Sequence, residues 1–336
     1  MKKIIFAIMA VAAMMLAGAA QLSAQEKPTE GLLVTMPVPP SYMTGLQQRS
    51  SFIIDKFWDT FNPKSSFSSL EKLDRTLDQF FSIAPYASAD TVYASVHKLI
   101  DKVGKAKADN LIILARIAES KIASDTSEYI SEELYLPFVD AVANNKKVKG
   151  AEKARYQAQF RQLQNSMVGK NAPDFEFTRP DGTHGRLSDV KANNVVLFFY
   201  DPDCFDCRLA KTRLAADIAV PTYINAGVLS IVAIYPGDPS DPEFIENAKE
   251  LPENWVVGAY PDADRLFTMR TQPQFYYLDN TDGQRVVKVK DMPVDNIINT
   301  FNMILNNALQ KASTTTPAPV AEAPATETPA EAPTAN

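Results

Sequence analysis

The chain has 336 residues, of which 46% are hydrophobic and 10% aromatic, and carries a formal net charge of −6. This globular, mildly acidic balance offers no basic patch and excludes a nucleic-acid-binding protein. The length is that of about two domains of roughly 150 residues each.

Lys2 and Lys3 precede an apolar run from Ile4 to Ala20, and the small residues Ala19, Ala20, Ser23 and Ala24 lie at and after its end. Basic, then apolar, then small is the order of a secretory signal, so residues 1–24 are expected to direct export and to be cleaved before Gln21 or Gln25. An uncleaved anchor is the other reading, but the run is short for a bilayer span. No cysteine follows it closely, which excludes a lipid-modified N-terminal cysteine, and no later segment is apolar for long enough to cross a membrane. The expected location is the periplasm, where disulfide chemistry is possible. Pro28, Pro37, Pro39 and Pro40 make residues 25–43 an extended lead-in.

Residues 44–167 read as an all-α domain of about six short helices. Ile53, Phe57 and Phe61 recur at helical spacing, with Trp58 beside them. Leu70, Leu73, Leu77 and Phe80 form a second stripe, and Val92, Val96, Leu99, Ile100 and Val103 a third. Leu111 to Ile122 is apolar on most sides of its first turns, as at the centre of a bundle. Leu134 to Val142 and Lys153 to Met167 supply the last two helices, and Pro63, Pro85, Gly104 and Gly150 fall between the patterns as breakers. Asp90-Thr91-Val92 is expected to cap the third helix. The same three residues resemble the Asp-Ser/Thr-apolar glycan acceptor of exported Bacteroides-type proteins.

The texture changes near residue 168. Val168 to Phe177 runs into the turn Pro180-Asp181-Gly182, which predicts a hairpin. Val195 to Tyr200 is a continuous apolar run of strand length, as for a strand buried on both faces. A helix over Leu209 to Ile218, a buried strand over Val228 to Tyr235, a helix over Asp241 to Glu250 and a short strand over Trp255 to Ala259 follow. Gln274 to Leu278 and Arg285 to Lys290 flank a turn at Asn280 to Gly283, and Val294 to Leu309 is a closing amphipathic helix. Strands alternating with helices and ending in an antiparallel pair predict an α/β fold, a mixed sheet with flanking helices, over residues 168–311. Residues 312–336 are Pro-, Ala- and Thr-rich without an aromatic, which predicts a disordered tail.

The chain's two cysteines stand as Cys204-Phe205-Asp206-Cys207, directly after the apolar strand. That position puts the first sulfur at the start of a helix, where free N–H groups and the macrodipole stabilise a thiolate. The second sulfur, one turn on, is close enough to attack a mixed disulfide. With no third cysteine, the pair is either a redox dithiol or one local structural disulfide.

The motifs Gly169-x-x-Ala172-Pro173-Asp174-Phe175, the strand–Cys-x-x-Cys unit with Arg208, and Gln272-Pro273-Gln274-Phe275 together resemble the exported thioredoxin-fold family of TlpA and ResA type. The resemblance covers about residues 168–310. The helical region is similar to an uncharacterised helical domain found ahead of such domains in Bacteroides-type exported proteins. The resemblance implies that Cys204 is the exposed nucleophile, that Cys207 is the buried resolving thiol, and that Pro273 follows a cis peptide bond facing the disulfide. The backbone of Gln272 would then bind an extended substrate segment. It implies a thiol–disulfide oxidoreductase with no dissociable cofactor; Asp203 and Asp206 beside Cys204, with no His between the cysteines, predict a reductase or isomerase poise. Its partners would be exported protein substrates with disulfides and an upstream redox donor. The rival class is an envelope protein-binding module whose disulfide is vestigial and structural.

This chain departs from the family in three places. Asp203 replaces a Trp common before the first cysteine. Phe198 stands where thioredoxins carry an acid, so a water or an acid elsewhere must handle the proton of Cys207. Asp201, Asp203 and Asp206 crowd the thiol, with Arg208 and Lys211 as near cations. A metal site needs about four ligands, and His97 and His184 lie far apart in sequence in different regions. A peroxiredoxin shares the Ala-Pro-Asp-Phe opening but places a Thr where this chain has Asp201.

Overall fold

The computed structural model describes residues 31–124, 126–127, 129–290 and 293–314. The expected signal segment, the start of the lead-in and residues 315–336 of the expected tail lie outside them.

The first half is helical: α1 (Leu46–Lys56), α2 (Leu70–Ile83), α3 (Ala89–Ala106), α4 (Asn110–Ile122), α5 (Glu132–Ala143) and α6 (Ala151–Ser166). Their apolar stripes converge on one core that includes Phe57, Trp58, Leu77, Phe80, Val96, Leu114 and Phe138. The aromatic residues of that core interlock edge to face, as in Phe57 on Phe80 at 5.3 Å and Trp58 on Phe61 at 5.4 Å. Two expectations need correction. The helical spacing runs on to Phe61, but α1 stops at Lys56 and the chain continues in i→i−3 turns. Its freed carbonyls are taken by lysines of α3: Lys98 Nζ donates to Asp55 O at 3.2 Å, and Lys102 Nζ donates to Trp58 O and Asp59 O. Pro63 disfavours helix at the residue before it. The cap of α3 is Ser88, not the Asp90-Thr91-Val92 triplet. Ser88 is extended, and its Oγ accepts from Thr91 N and lies 2.6 Å from Thr91 Oγ1.

The second half is a seven-stranded sheet in the order β2-β1-β5-β4-β3-β6-β7. The strands are β1 (Glu176–Thr178), β2 (His184–Arg186), β3 (Asn194–Phe199), β4 (Leu229–Tyr235), β5 (Val256–Ala259), β6 (Gln274–Asp279) and β7 (Val286–Lys290). The helices of this half are α7 (Phe205–Ala216), α8 (Ala219–Asn225), α9 (Pro242–Ala248), α10 (Ala263–Leu266) and α11 (Val294–Thr314). β3, β4 and β5 run parallel, whereas β6 is antiparallel to β3 and to β7. Alternate residues of β3 enter two cores. Val196 and Phe198 join that under α7 (Phe205–Ala216) and α11 (Val294–Thr314), while Val195, Leu197 and Phe199 join that under Leu187, Ala263 and Phe267. This double burial is why the β3 sequence is apolar throughout. Gly258 on β5 makes room for a ring: a Cβ there would lie 2.3 Å from Phe177 Cδ2.

Three local differences from the sequence reading have physical causes. α7 begins at Phe205, before Leu209, because Cys204 caps it. It stops at Ala216, and Asp217 Oδ1 accepts from Ala219 N at 2.9 Å and Val220 N at 3.0 Å to start a separate α8 (Ala219–Asn225). α11 runs past the end expected at Leu309 to Thr314, with no proline before Pro317 to stop it. The segment expected to enter the hairpin directly first crosses the far edge of the sheet: Gly169 N donates to Val287 O and Ala172 N to Arg285 O, both at 2.8 Å.

The two halves are joined by polar contacts. Asn165 Nδ2 donates to Leu266 O at 3.1 Å, and Thr268 N donates to Ser166 Oγ at 2.7 Å. Glu132, 5% exposed at the start of α5, accepts from Thr268 Oγ1, from Arg270 Nη2 at 3.1 Å and from Lys290 Nζ.

Candidate active site

β3 ends at Phe199, and the next residues turn sharply. Asp203 N donates to Asp201 Oδ1 at 2.9 Å, and Cys204 N donates to Asp201 O at 3.2 Å. The turn delivers Cys204 to the N-cap position of α7, with extended backbone angles, and Cys207 N donates to its Sγ at 3.1 Å. Cys204 and Cys207 form a disulfide, with Cα atoms 5.2 Å apart. Cys204 is half-buried, whereas Cys207 is 2% exposed. An attacker from solvent therefore meets Cys204 first.

Across from the disulfide, the Gln272–Pro273 peptide bond is cis and Gln272 O lies 3.5 Å from Cys204 Sγ. Both residues are half-buried. The structure thus brings together all four residues singled out from the sequence. His97 lies exposed on α3, and His184 on β2 faces Glu176 at 3.5 Å, so neither histidine belongs to this site.

Carboxylates dominate the rim. Asp203 and Asp206 are exposed on either side of Cys204. The Asp203 charge, with a hydrogen bond between the two side chains, pushes the Glu243 carboxyl above its ordinary value. Arg208 partly offsets this: its Nη1 donates to the Pro202 and Asp203 carbonyls at 3.4 Å, and its guanidinium lies over the Phe205 ring. Lys211 Nζ is paired with Glu250 at 3.0 Å.

A cleft of about 940 Å³ opens beside the disulfide. Asp206, Leu209, Ala210 and Arg270 to Gln274 line one wall, and Ile130, Glu132 and Glu133 of the helical half line the other. Leu209, Val168 and Ile130, which line it, are large apolar residues left exposed. The second wall was not foreseen from the sequence. Ser131 caps α5, accepting from Leu134 N at 3.2 Å, which gives a local reason for the helix start but no sign of what it faces.

A central β3–α7 unit carrying Cys-x-x-Cys at the helix cap, with a cis-proline loop against it, defines a thioredoxin-like domain, here preceded by an all-α domain. Residues 168–279 match the AhpC/TSA family, and residues 18–166 match a domain of unknown function, DUF5106. The chain thus joins a DUF5106 domain to an AhpC/TSA-family thioredoxin-like domain. A thioredoxin-like protein from Bacteroides caccae superposes with a TM-score of 0.64 over 80% of this chain and 98% of its own, at 22% identity. That likeness spans both halves and shows the fold. A conserved protein of unknown function from Bacteroides fragilis is 33% identical, with a TM-score of 0.38, over 40% of this chain and 99% of its own. The thioredoxin domain of a thiol–disulfide oxidoreductase from Bacteroides vulgatus is 16% identical over 40% of this chain and 97% of its own, with a TM-score of 0.33. No curated protein matches the chain.

Proposed function

We propose that the protein is an exported thiol–disulfide oxidoreductase that acts on protein disulfides in the periplasm. The observation that carries this reading is the half-buried Cys204 Sγ at a helix cap, 3.5 Å from the backbone of the cis-proline loop. Cys204 as thiolate attacks a substrate disulfide, forming a mixed disulfide and releasing one substrate thiolate. Cys207 then attacks Cys204 Sγ, which frees the second substrate thiolate and leaves the Cys204–Cys207 disulfide. An upstream redox protein returns the pair to the dithiol, and no dissociable cofactor is required. The half-buried backbone at Gln272 and Pro273 borders an open cleft of about 940 Å³, which suits an extended polypeptide. The carboxylates of Asp203, Asp206 and Glu243 disfavour a Cys204 thiolate against the cap that favours one. The balance supports a reductase or isomerase rather than a strong oxidant, whose reduced form rests on a very stable thiolate. The basic-then-apolar order of Lys2 to Ala20 supports export.

Replacing Cys207 with Ser removes the internal attacker and leaves Cys204 reactive. Cys207→Ser expressed in the native compartment is expected to accumulate reductant-sensitive covalent complexes with exported proteins, which Cys204→Ser/Cys207→Ser does not form. Failure to capture any protein would count against a protein reductase.

A further inference from the structure

Opening the Cys204–Cys207 bond turns Cys207 into a buried thiolate that needs a proton, and closing the bond requires that proton to leave. Phe198, 0% exposed, packs in the core beneath Cys207 and offers no titratable group. A small cavity of about 10 Å³ lies there, lined by Cys207, Tyr200, Asp201, Lys211 and Asn247 among others. That is about the space of one water-sized probe. Tyr200 is 3% exposed, and its hydroxyl has no hydrogen-bond partner among the described residues. The ring stacks on Phe198 with centroids 5.4 Å apart, a contact that a phenylalanine would make equally well. Packing therefore does not account for the oxygen, and a buried hydroxyl without a partner is costly.

We propose that Tyr200 is a positioning residue for the proton of Cys207, its O–H holding one water against the Cys207 sulfur. The proposal rests on the oxidoreductase reading above. In the reducing direction a donor thiolate bonds to Cys204 Sγ, the Cys204–Cys207 bond breaks, and its electron pair passes to Cys207 Sγ. The held water donates to that thiolate and relays a proton to it from solvent. In the other direction Cys207 gives its proton to the water, and its thiolate attacks the Cys204 sulfur of the mixed disulfide. Tyr200 stays protonated throughout, because burial, then Tyr235, holds its hydroxyl well above the usual range.

The neighbouring charged groups are otherwise engaged. Asp201 accepts from Asp203 N, Lys211 pairs with Glu250, and Arg208 donates to backbone carbonyls. On β4, Tyr235 Oη donates to Asp241 Oδ2 at 2.8 Å.

The test uses Cys204→Ser, in which Cys207 is the one remaining thiol. Its thiolate ultraviolet absorbance is titrated against pH, with Cys204→Ser/Cys207→Ser as baseline. Adding Tyr200→Phe is expected to raise the Cys207 midpoint by about one pH unit, roughly tenfold less thiolate below both midpoints. Fluorotyrosine at position 200, a stronger donor of the same shape, should lower it. In single turnover, Tyr200→Phe should slow release from the mixed disulfide about tenfold at neutral pH, recovering as pH rises, while attack by Cys204 is unchanged. An unchanged or lowered midpoint in Tyr200→Phe overturns the proposal. The titration needs no substrate. A protein that turns over no disulfide would remove the oxidoreductase reading and leave the titration's answer intact.

Discussion

At the residue scale the site is a contest of fields on one sulfur. The cap favours a Cys204 thiolate through the Cys207 N–H at 3.1 Å. The Asp203 and Glu243 pair opposes it, and the raised Glu243 carboxyl reports how close these two charges lie. Both are at the surface, so solvent and salt weaken their effect. Asp203→Asn is therefore expected to lower the Cys204 thiol pKa by a few tenths of a unit and to make the couple less reducing. Equilibration with glutathione buffers reads the change. A more negative potential in the variant would reverse the sign assigned to the rim. The residue types at the site were legible because their motifs are local: four residues hold both sulfurs, and Gln272-Pro273 marks the facing loop. The neighbours that tune them were less so, since Glu243 reaches Asp203 only through the fold.

At the element scale, strands buried on both faces announce themselves as apolar runs, so β3 and β4 were read nearly to their ends. Helix boundaries were read less well, because side chains from elsewhere set them. Lysines of α3 serve the end of α1, and Asp217 divides α7 from α8. Asp174 illustrates a local motif with an energetic role. Its carboxylate accepts from Ser188 N at 2.8 Å and pairs with Arg186 at 3.1 Å, fixing the β1–β2 hairpin to the chain before it. Burial pushes the Asp174 carboxyl up, but the Ser188 N–H and the Arg186 guanidinium outweigh it and hold it below its ordinary value of 3.8. A depressed pKa in the folded state gives stability that is present above the unfolded value and lost as pH falls through the folded one. Asp174→Asn should thus cost about 1 kcal/mol near neutral pH, and the difference from the parent should vanish in acid. Denaturant unfolding across pH tests this. A cost that persists unchanged below the ordinary carboxylate range would assign the effect to packing.

At the scale of the whole molecule, the helical half supplies a wall of the cleft and is held to the redox half by polar contacts that include one buried carboxylate. Glu132 meets Arg270 across 138 residues of sequence and Lys290 across 158, a separation that no local pattern reveals. Removing it takes away a buried carboxylate that two largely buried cations share. Glu132→Ala is expected to destabilise the protein by about 3 kcal/mol or to split its unfolding into two transitions. A single transition at the parent midpoint would show that the halves are held by other contacts. The central claim, that Cys204 and Cys207 form a working dithiol, is tested most directly by turnover. The protein, a thiol donor and an insulin-type disulfide substrate are combined, and the rate is compared with Cys204→Ser and with Cys204→Ser/Cys207→Ser. Catalysis by the parent and none by either variant is the expected result. A parent no faster than the double variant would contradict it.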